Sequence, residues 1–214
     1  SFPLIKYNNN SNETITPRLS FRVNPGNNMS DHSSSSAAIG TDNVFNLNRL
    51  GLSGDYEAGR SLTLGIGYKF DQIENDQGNK DDVKDKYLKF ELATVFRDQV
   101  ESEIPSSSTI NRKNSNLFGS IENELLDNVN FTYNFSLDND MKTINSNGIE
   151  TEISINNFVT TFNYIEERNE LGSKHLISNT TEYKVNENIS LKFSTRRNKE
   201  INLTEYYNLS YEYE

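Results

Sequence analysis

From Ser115 onward one unit recurs about every thirty residues: a run in which apolar and polar side chains alternate, a two-residue turn, a second alternating run and a looser polar stretch. The turns are Asp127-Asn128, Asn156-Asn157 and Glu187-Asn188. Behind the first, Val129, Phe131, Tyr133, Phe135 and Leu137 take one parity, and Asn130, Thr132, Asn134, Ser136 and Asp138 take the other. A period of two belongs to a strand with two different faces and not to a helix. Alternating runs of about ten residues, with tight turns at one end and longer loops at the other, are the pattern of an all-β, antiparallel up-and-down transmembrane β-barrel, whose closure leaves no unpaired backbone in lipid.

Composition misleads until the two faces are separated. A chain of 214 residues with 33% hydrophobic content and a net charge of -10, and with a mean hydropathy of -0.75, looks like a polar soluble or partly disordered protein. In a barrel only one face of each strand meets lipid while the other meets a wet lumen, so the average stays polar. No run approaches the roughly eighteen apolar residues of a spanning helix. Ser1-Phe2-Pro3 does not begin a signal peptide, which makes the amino terminus a mature or truncated end. The acidic balance and the lack of a Lys/Arg cluster argue against nucleic acid as a partner. Without cysteine, the segment holds neither a disulfide nor a thiolate metal site.

Along the chain the first alternation sets Ile15, Pro17, Leu19, Phe21 and Val23 against Thr16, Arg18, Ser20 and Arg22, and ends at the turn signal Asn24-Pro25-Gly26. A long polar tract to Gly59 follows, punctuated by Phe45, Leu47, Leu50 and Leu52. The second strand carries Leu62, Leu64, Ile66, Tyr68 and Phe70 on one face and Gly65 and Gly67 on the other; the third sets Leu88, Phe90, Leu92, Thr94 and Phe96 against Lys89 and Glu91. The fourth, near Ser115 to Leu126, is the weakest in pattern. Six more follow in three units, so residues 1–214 are expected to form one partial barrel domain of about ten meander strands. Loop length orients it: the tight turns are periplasmic, and the loops at 25–60, 98–114, 138–147, 167–174 and 197–202 lie outside. The connection at 71–85 then falls on the periplasmic side. Strict alternation places Phe131, Tyr133, Phe135, Phe158, Phe162, Leu191 and Phe193 toward lipid, with girdle aromatics such as Phe158 and Tyr213 near the turns. Asn130, Thr132, Asn134, Ser190 and Lys192 face the lumen.

Groups for chemistry are scarce. The two histidines, His32 and His175, lie in loop or loop-edge sequence without ligand spacing. The acidic pairs Asp81-Asp82 and Glu166-Glu167 suit solvated charge better than a cation site. Gly65-Ile66-Gly67 is mid-strand and so is no phosphate loop. Asn-x-Ser/Thr at Asn12, Asn130, Asn134 and Asn188 is chance in an asparagine-rich chain. No Ser/His/Asp set can be assembled. The expectation is a protein without catalysis and without a cofactor or metal.

One stretch is more specific. Thr16-Pro17-Arg18-Leu19-Ser20-Phe21-Arg22, then Asn43-Val44-Phe45 with Asn48-Arg49, Glu57, Gly59 and the strand Leu62 to Phe70, resembles the carboxy-terminal barrel region of the LptD family, also called the organic solvent tolerance family. Where that family commonly has Ser-Gly-Tyr-Asp-Arg, this chain has Gly51-Leu52-Ser53-Gly54-Asp55. The family's amino-terminal periplasmic jelly roll, first barrel strands and carboxy-terminal cysteine pair are missing from the sequence. The resemblance implies a translocon in the outer membrane of a Gram-negative bacterium. It receives lipopolysaccharide from a periplasmic LptA-like bridge, through the missing amino-terminal domain, and releases it into the outer leaflet, with an LptE-like lipoprotein plug inside the barrel. On that footing residues 25–60 are expected to fold over or into the lumen and meet the plug through Phe45, Leu47, Arg49, Leu50 and Glu57. Arg49 is the polar anchor, to backbone carbonyls or to a carboxylate such as Asp55 or Glu57. A diffusion porin, a self-contained barrel enzyme and a soluble adhesin-like sheet are the rival classes.

Overall fold

The computed structural model describes residues 1–25, 29–73, 86–169 and 172–213. Eleven strands form one sheet in which every strand pairs antiparallel with its neighbours in sequence, and the order runs unbroken from first to last. The strands are β1 (Leu4–Tyr7), β2 (Ser11–Asn24), β3 (Gly59–Gln72), β4 (Lys86–Arg97) and β5 (Leu117–Leu126), then β6 (Val129–Leu137), β7 (Ile144–Ile155), β8 (Phe158–Asn169), β9 (Gly172–Asn186), β10 (Ile189–Asn198) and β11 (Leu203–Tyr213). The sheet is an up-and-down meander left open between β1 and β11, consistent with a segment of a β-barrel.

The repeat seen in the sequence is the hairpin β5–β6, then β7–β8, then β9–β10, and its tight turns occupy residues 127–128, 156–157 and 187–188. Of these, Asn156 is left-handed at φ 51, a conformation that asparagine tolerates. The count exceeds the expected ten by β1, whose Leu-Ile-Lys-Tyr is too short to alternate and pairs only with Asn12–Ile15. Two loops are shorter than expected. β7 already starts at Ile144, and β8 and β9 leave only residues 170–171 between them, not 167–174. The turn at Gly26 and most of the 71–85 connection, with Asp81-Asp82, lie outside the described residues.

Pro17 sits inside β2 without breaking its ladder to β3, where it stands opposite Ile66. Its carbonyl accepts from the Phe2 amide on the other side. In a strand N and O of one residue point the same way, so the missing N–H is on the β1 side and removes no bond to β3.

Register carries one parity across the whole sheet. Ser61 and Thr63 stand opposite Arg97 and Val95, Phe118 opposite Ala93, Ser136 opposite Phe118, and Gly148 opposite Asn134. The segments 29–58 and 98–116 fold back over this face at the end away from the tight turns. Val44, Ile104 and Ile110 of those segments pack against Val95 of β4, all at 0% exposure, with Met29, Leu50, Ala93 and Phe118 around them. The other face is bare: Leu19 is 67% exposed and Phe21 66%.

Candidate functional site

The two folded-back segments are stitched into one lid. The His32 amide donates to Glu103 O at 2.9 Å, the Ala37 amide to Ser107 Oγ at 2.9 Å, and Ser107 Oγ donates to Ala37 O at 3.2 Å. Ser106–Ser108 makes a single turn of 3-10 helix between Ile104 and Ile110. Gly59, where the first segment enters β3, has φ 79, and a Cβ there would collide with the Glu101 carboxylate of the second segment. The left-handed backbone favours glycine there.

At the base of the lid lies a buried ion network. Arg49 grips Glu57 with two parallel bonds, Nε to Oε2 at 2.7 Å and Nη2 to Oε1 at 2.5 Å. The remaining hydrogens of Arg49 go to Val44 O at 3.2 Å and to Thr63 Oγ1 and Ser61 Oγ of β3 at 2.9 and 3.1 Å. Arg97, from the end of β4, donates to the same Glu57 carboxylate, to Ile110 O at 2.5 Å and to Ala58 O at 2.9 Å. Both guanidiniums are fully buried and the carboxylate nearly so. Burial would push Glu57 upward, but the Arg49 hydrogen bonds and the charges of Arg49, Arg97 and Arg22 outweigh it and hold the carboxyl below its ordinary value. One carboxylate thus ties the first segment to strands β3 and β4 and, through Ile110, to the second segment. Such fork-to-fork pairing is directional as well as strong.

Two arginines of β2 hold the lid's outer limb. Arg22 donates to the carbonyls of Leu47, at 2.7 Å, and of Asn46. Arg18 pairs with Glu91 at 3.1 Å and lies over the Phe45 ring, 5.7 Å from its centre. That ring rests on Gly65, where a Cβ would come within 2.7 Å of Phe45 Cζ. The glycine parity of β3 is the seat for an aromatic side chain. His32 Nε2 meets Asp55 Oδ2 at 2.7 Å, and the His32 and Ser30 hydrogen bonds keep Asp55 below the usual carboxylate range.

The five candidate loop residues therefore do different things. Arg49 and Leu50 are buried, Phe45 is packed on β3, and Glu57 is the hub of the network. Leu47 stands 85% exposed. Asp55, the alternative carboxylate for Arg49, is taken by His32. Arg97 and the core of the second segment went unread in the sequence. Their signal is there: Arg97 continues the parity of Ala93 and Val95, and Ile104 and Ile110 are isolated apolar residues in a polar loop.

On the strands without a lid, Phe131, Tyr133, Phe135, Phe158, Phe162, Leu191 and Phe193 share the bare face, while Asn130, Thr132, Asn134, Ser190 and Lys192 share the face that carries the lid. On the bare face Asn147 Oδ1 accepts from Tyr133 Oη at 2.8 Å, and Asn179 Nδ2 donates to Thr160 Oγ1 at 3.0 Å and to Thr161 O at 3.2 Å. The Thr160 and Thr181 hydroxyls bond each other at 2.9 Å. Phe158 and Tyr183 pack at a tilt beside them, ring centres 4.5 Å apart. Glu166 and Glu167 project to opposite faces, which removes them as a chelating pair: Glu166 bonds Tyr164 and Arg168, and Glu167 faces Lys174 across the strand pair. Among the described residues no group of three or more His, Cys, Asp or Glu could hold a metal ion. Nor is any helix there long and apolar enough to cross a membrane.

The model of the LptD family, described as LPS transport system D, matches residues 2–196. The chain belongs to the LptD family. That membership and the all-β meander give it a role in lipopolysaccharide transport at the outer membrane of Gram-negative bacteria, in a family of transport and assembly proteins with lipopolysaccharide as substrate and the Lpt machinery as partners. A comparison with curated proteins returns no match.

Proposed function

We propose that this sheet is a wall of the outer-membrane translocon that inserts lipopolysaccharide into the outer leaflet, with its bare face in lipid and its lid-bearing face toward the lumen. The observation that carries the reading is the opposite composition of the two faces. The bare face presents Phe, Tyr, Leu and Ile, and its amides and hydroxyls satisfy one another, as groups without water must. The covered face carries the buried ion network at one end and, elsewhere, charged and polar side chains such as Lys89, Glu122, Thr180 and Ser194. With the tight turns periplasmic, the lid closes the extracellular end of the lumen.

Leu47 and Tyr56, exposed on the lid at 85% and 75%, are the residues offered to an LptE-like plug, while Phe45, Arg49, Leu50 and Glu57 give the lid its shape. Delivery from an LptA-like bridge belongs to a further domain of the translocon. In the native host, depletion of the full-length protein is expected to strand newly made lipopolysaccharide on the periplasmic side, read by surface labelling of the sugar. Undiminished arrival at the surface defeats the reading. A photo-crosslinker at Leu47 is expected to trap the plug, and one at Phe45 to trap β3 of its own chain.

A further inference from the structure

On the bare face the two ends of β8, β9 and β10 are built differently. Toward the tight turns that face carries Phe158, Tyr183, Ile189 and Leu191, with no charge among them. At the opposite end the same parity brings together Glu166 and Arg168 of β8, His175 of β9 and Arg197 of β10. Lys199 extends the ladder by one rung, its amide donating to His175 O at 2.7 Å. Arg168, Arg197 and Lys199 are all exposed. Each arginine uses one nitrogen within the chain, Arg168 Nη2 on Glu166 Oε1 at 2.7 Å and Arg197 Nη2 on Asn202 Oδ1. A guanidinium has five hydrogens to donate, so most remain for a ligand. Glu166 is the one carboxylate at this end of the face on β8–β10 among the described residues, and it accepts from Tyr164 as well as from Arg168. Below the charges stand Tyr164, edge-on to His175 with ring centres 5.4 Å apart, and Ile177; below these come Phe162 and Phe193. Cations, then an aromatic with a polar tip, then apolar side chains repeat the order of headgroup, interface and acyl chain in a lipid leaflet.

We propose that this rim docks the anionic, phosphate-bearing headgroup of a lipid in the outer leaflet, held by Arg168, Arg197 and Lys199 while its acyl chains lie on Ile177, Phe162 and Phe193. The assignment rests on the reading above that the bare face meets lipid and that the tight turns are periplasmic. It concerns lipid standing against the outside of the sheet, not lipid passing through the lumen. The asymmetry selects the occupant. Snorkelling alone admits Lys and Arg at both interfaces, whereas on these strands the bare face holds them at one, the end where an anionic headgroup repays them. Exposed side chains on a flat face enclose no ion, so a free phosphate gains little there; a lipid adds the contact of its chains. Two strand spacings, about 10 Å, separate β8 from β10, which lets Arg168 and Arg197 reach separate anionic groups of one headgroup.

The test uses the full-length protein with its plug partner in phosphatidylcholine vesicles that contain either the diphosphorylated lipid anchor of lipopolysaccharide or the same lipid with its phosphates removed. The added lipid occupies both leaflets, so the direction of insertion does not matter. A photo-crosslinker at Ile177, opposite Arg197, is expected to label the phosphorylated lipid about fivefold more than the other. Arg168→Gln and Arg197→Gln are each expected to lower that labelling about fivefold, and unchanged mobility of the unheated barrel confirms that they fold. A crosslinker at Leu191, near the tight turns, is expected to label lipid without regard to its phosphates or to either variant. The proposal is overturned if Ile177 labels the two lipids equally or if both variants label like the wild type. It is also overturned if inorganic phosphate, against chloride of equal ionic strength, abolishes the preference, which marks a site for a free anion. If Leu191 labels lipid while Ile177 shows no preference, the rim assignment falls and the reading of the bare face stands. If Leu191 labels no lipid, the reading of the bare face itself falls.

Discussion

Strands β2–β5 and strands β6–β11 belong to one sheet with one alternation, yet they are held in place by different means. The first group has a core of its own, supplied by the lid, and its covered face is correspondingly small and tailored: Ser61, Thr63, Gly65, Ala93 and Ser120 leave room for what lies above them. In the second group, among the described residues, only Ser136 and Leu176 are buried, and the covered face carries long polar chains such as Glu150, Glu152 and Lys192. A sheet can thus fill its own interior where it needs a fixed shape and leave the rest to solvent, substrate or partner. For the second group the hydrophobic drive must come from the bare face.

The contrast breaks most sharply at Glu57. Glu57→Gln leaves the buried Arg49 and Arg97 without their shared anion, and loss of one partner of a buried pair costs about 3–5 kcal/mol. Hydrogen exchange in the full-length protein is expected to show residues 29–58 and 98–116 opening while β6–β11 stay protected; equal protection of the lid in the variant would remove the network as its latch. Next comes the bare face. Tyr133→Arg is expected to destabilise the barrel in a bilayer by about 2–4 kcal/mol if near the midplane, and Thr132→Arg far less. Equal costs, measured by unfolding in vesicles, erase the distinction between faces. A third pair probes the seat of Phe45. Gly65→Val overpacks the ring and is expected to cost about 1–3 kcal/mol. Gly67→Ala meets nothing nearer than 3.6 Å and is expected to be close to neutral, both read as the melting temperature of the lid signal.

The smallest effect is in pH. Because the Glu57 carboxyl titrates below its ordinary 4.5 in the folded lid, its contribution is complete above that value and is lost as pH falls through the folded one. Lid protection, with the intrinsic pH dependence of amide exchange divided out, is expected to hold steady from pH 7 to about 5 and to fall only in stronger acid. Glu57→Gln should lack that step.

The two regions also differed in how much the sequence disclosed. Alternation is local, so the turns at 127–128, 156–157 and 187–188 and the parity of Phe131, Tyr133 and Phe135 could be read from neighbours alone. The alternation fades where the strands run past their apolar stretch. Glu166, Arg168 and His175 occupy the bare face at that end, so β8 and β9 read as loop some residues too early. At β1, four residues in which Leu and Ile are adjacent give no period at all. The lid is non-local: Phe45, Leu47, Leu50 and Leu52 announced a folded segment, and Arg49 announced an anchor, but not that Arg97, forty residues beyond Glu57, would share the same carboxylate. Chemistry of that kind has no fixed spacing in sequence. Only the fold brings it together.

The strictly consecutive pairing order also bears on how the molecule is assembled. Every strand meets only its predecessor and its successor, and both lid segments are loops of the first five strands. The residues of the lid's core and ion network and the two arginines that hold its outer limb, from Arg18 to Ser120, therefore all precede β6 in sequence. Loops closed over short separations cost little entropy and form quickly. The capped half can reach its final arrangement as a unit, and the later hairpins can then add one at a time to an edge already fixed in register by β5.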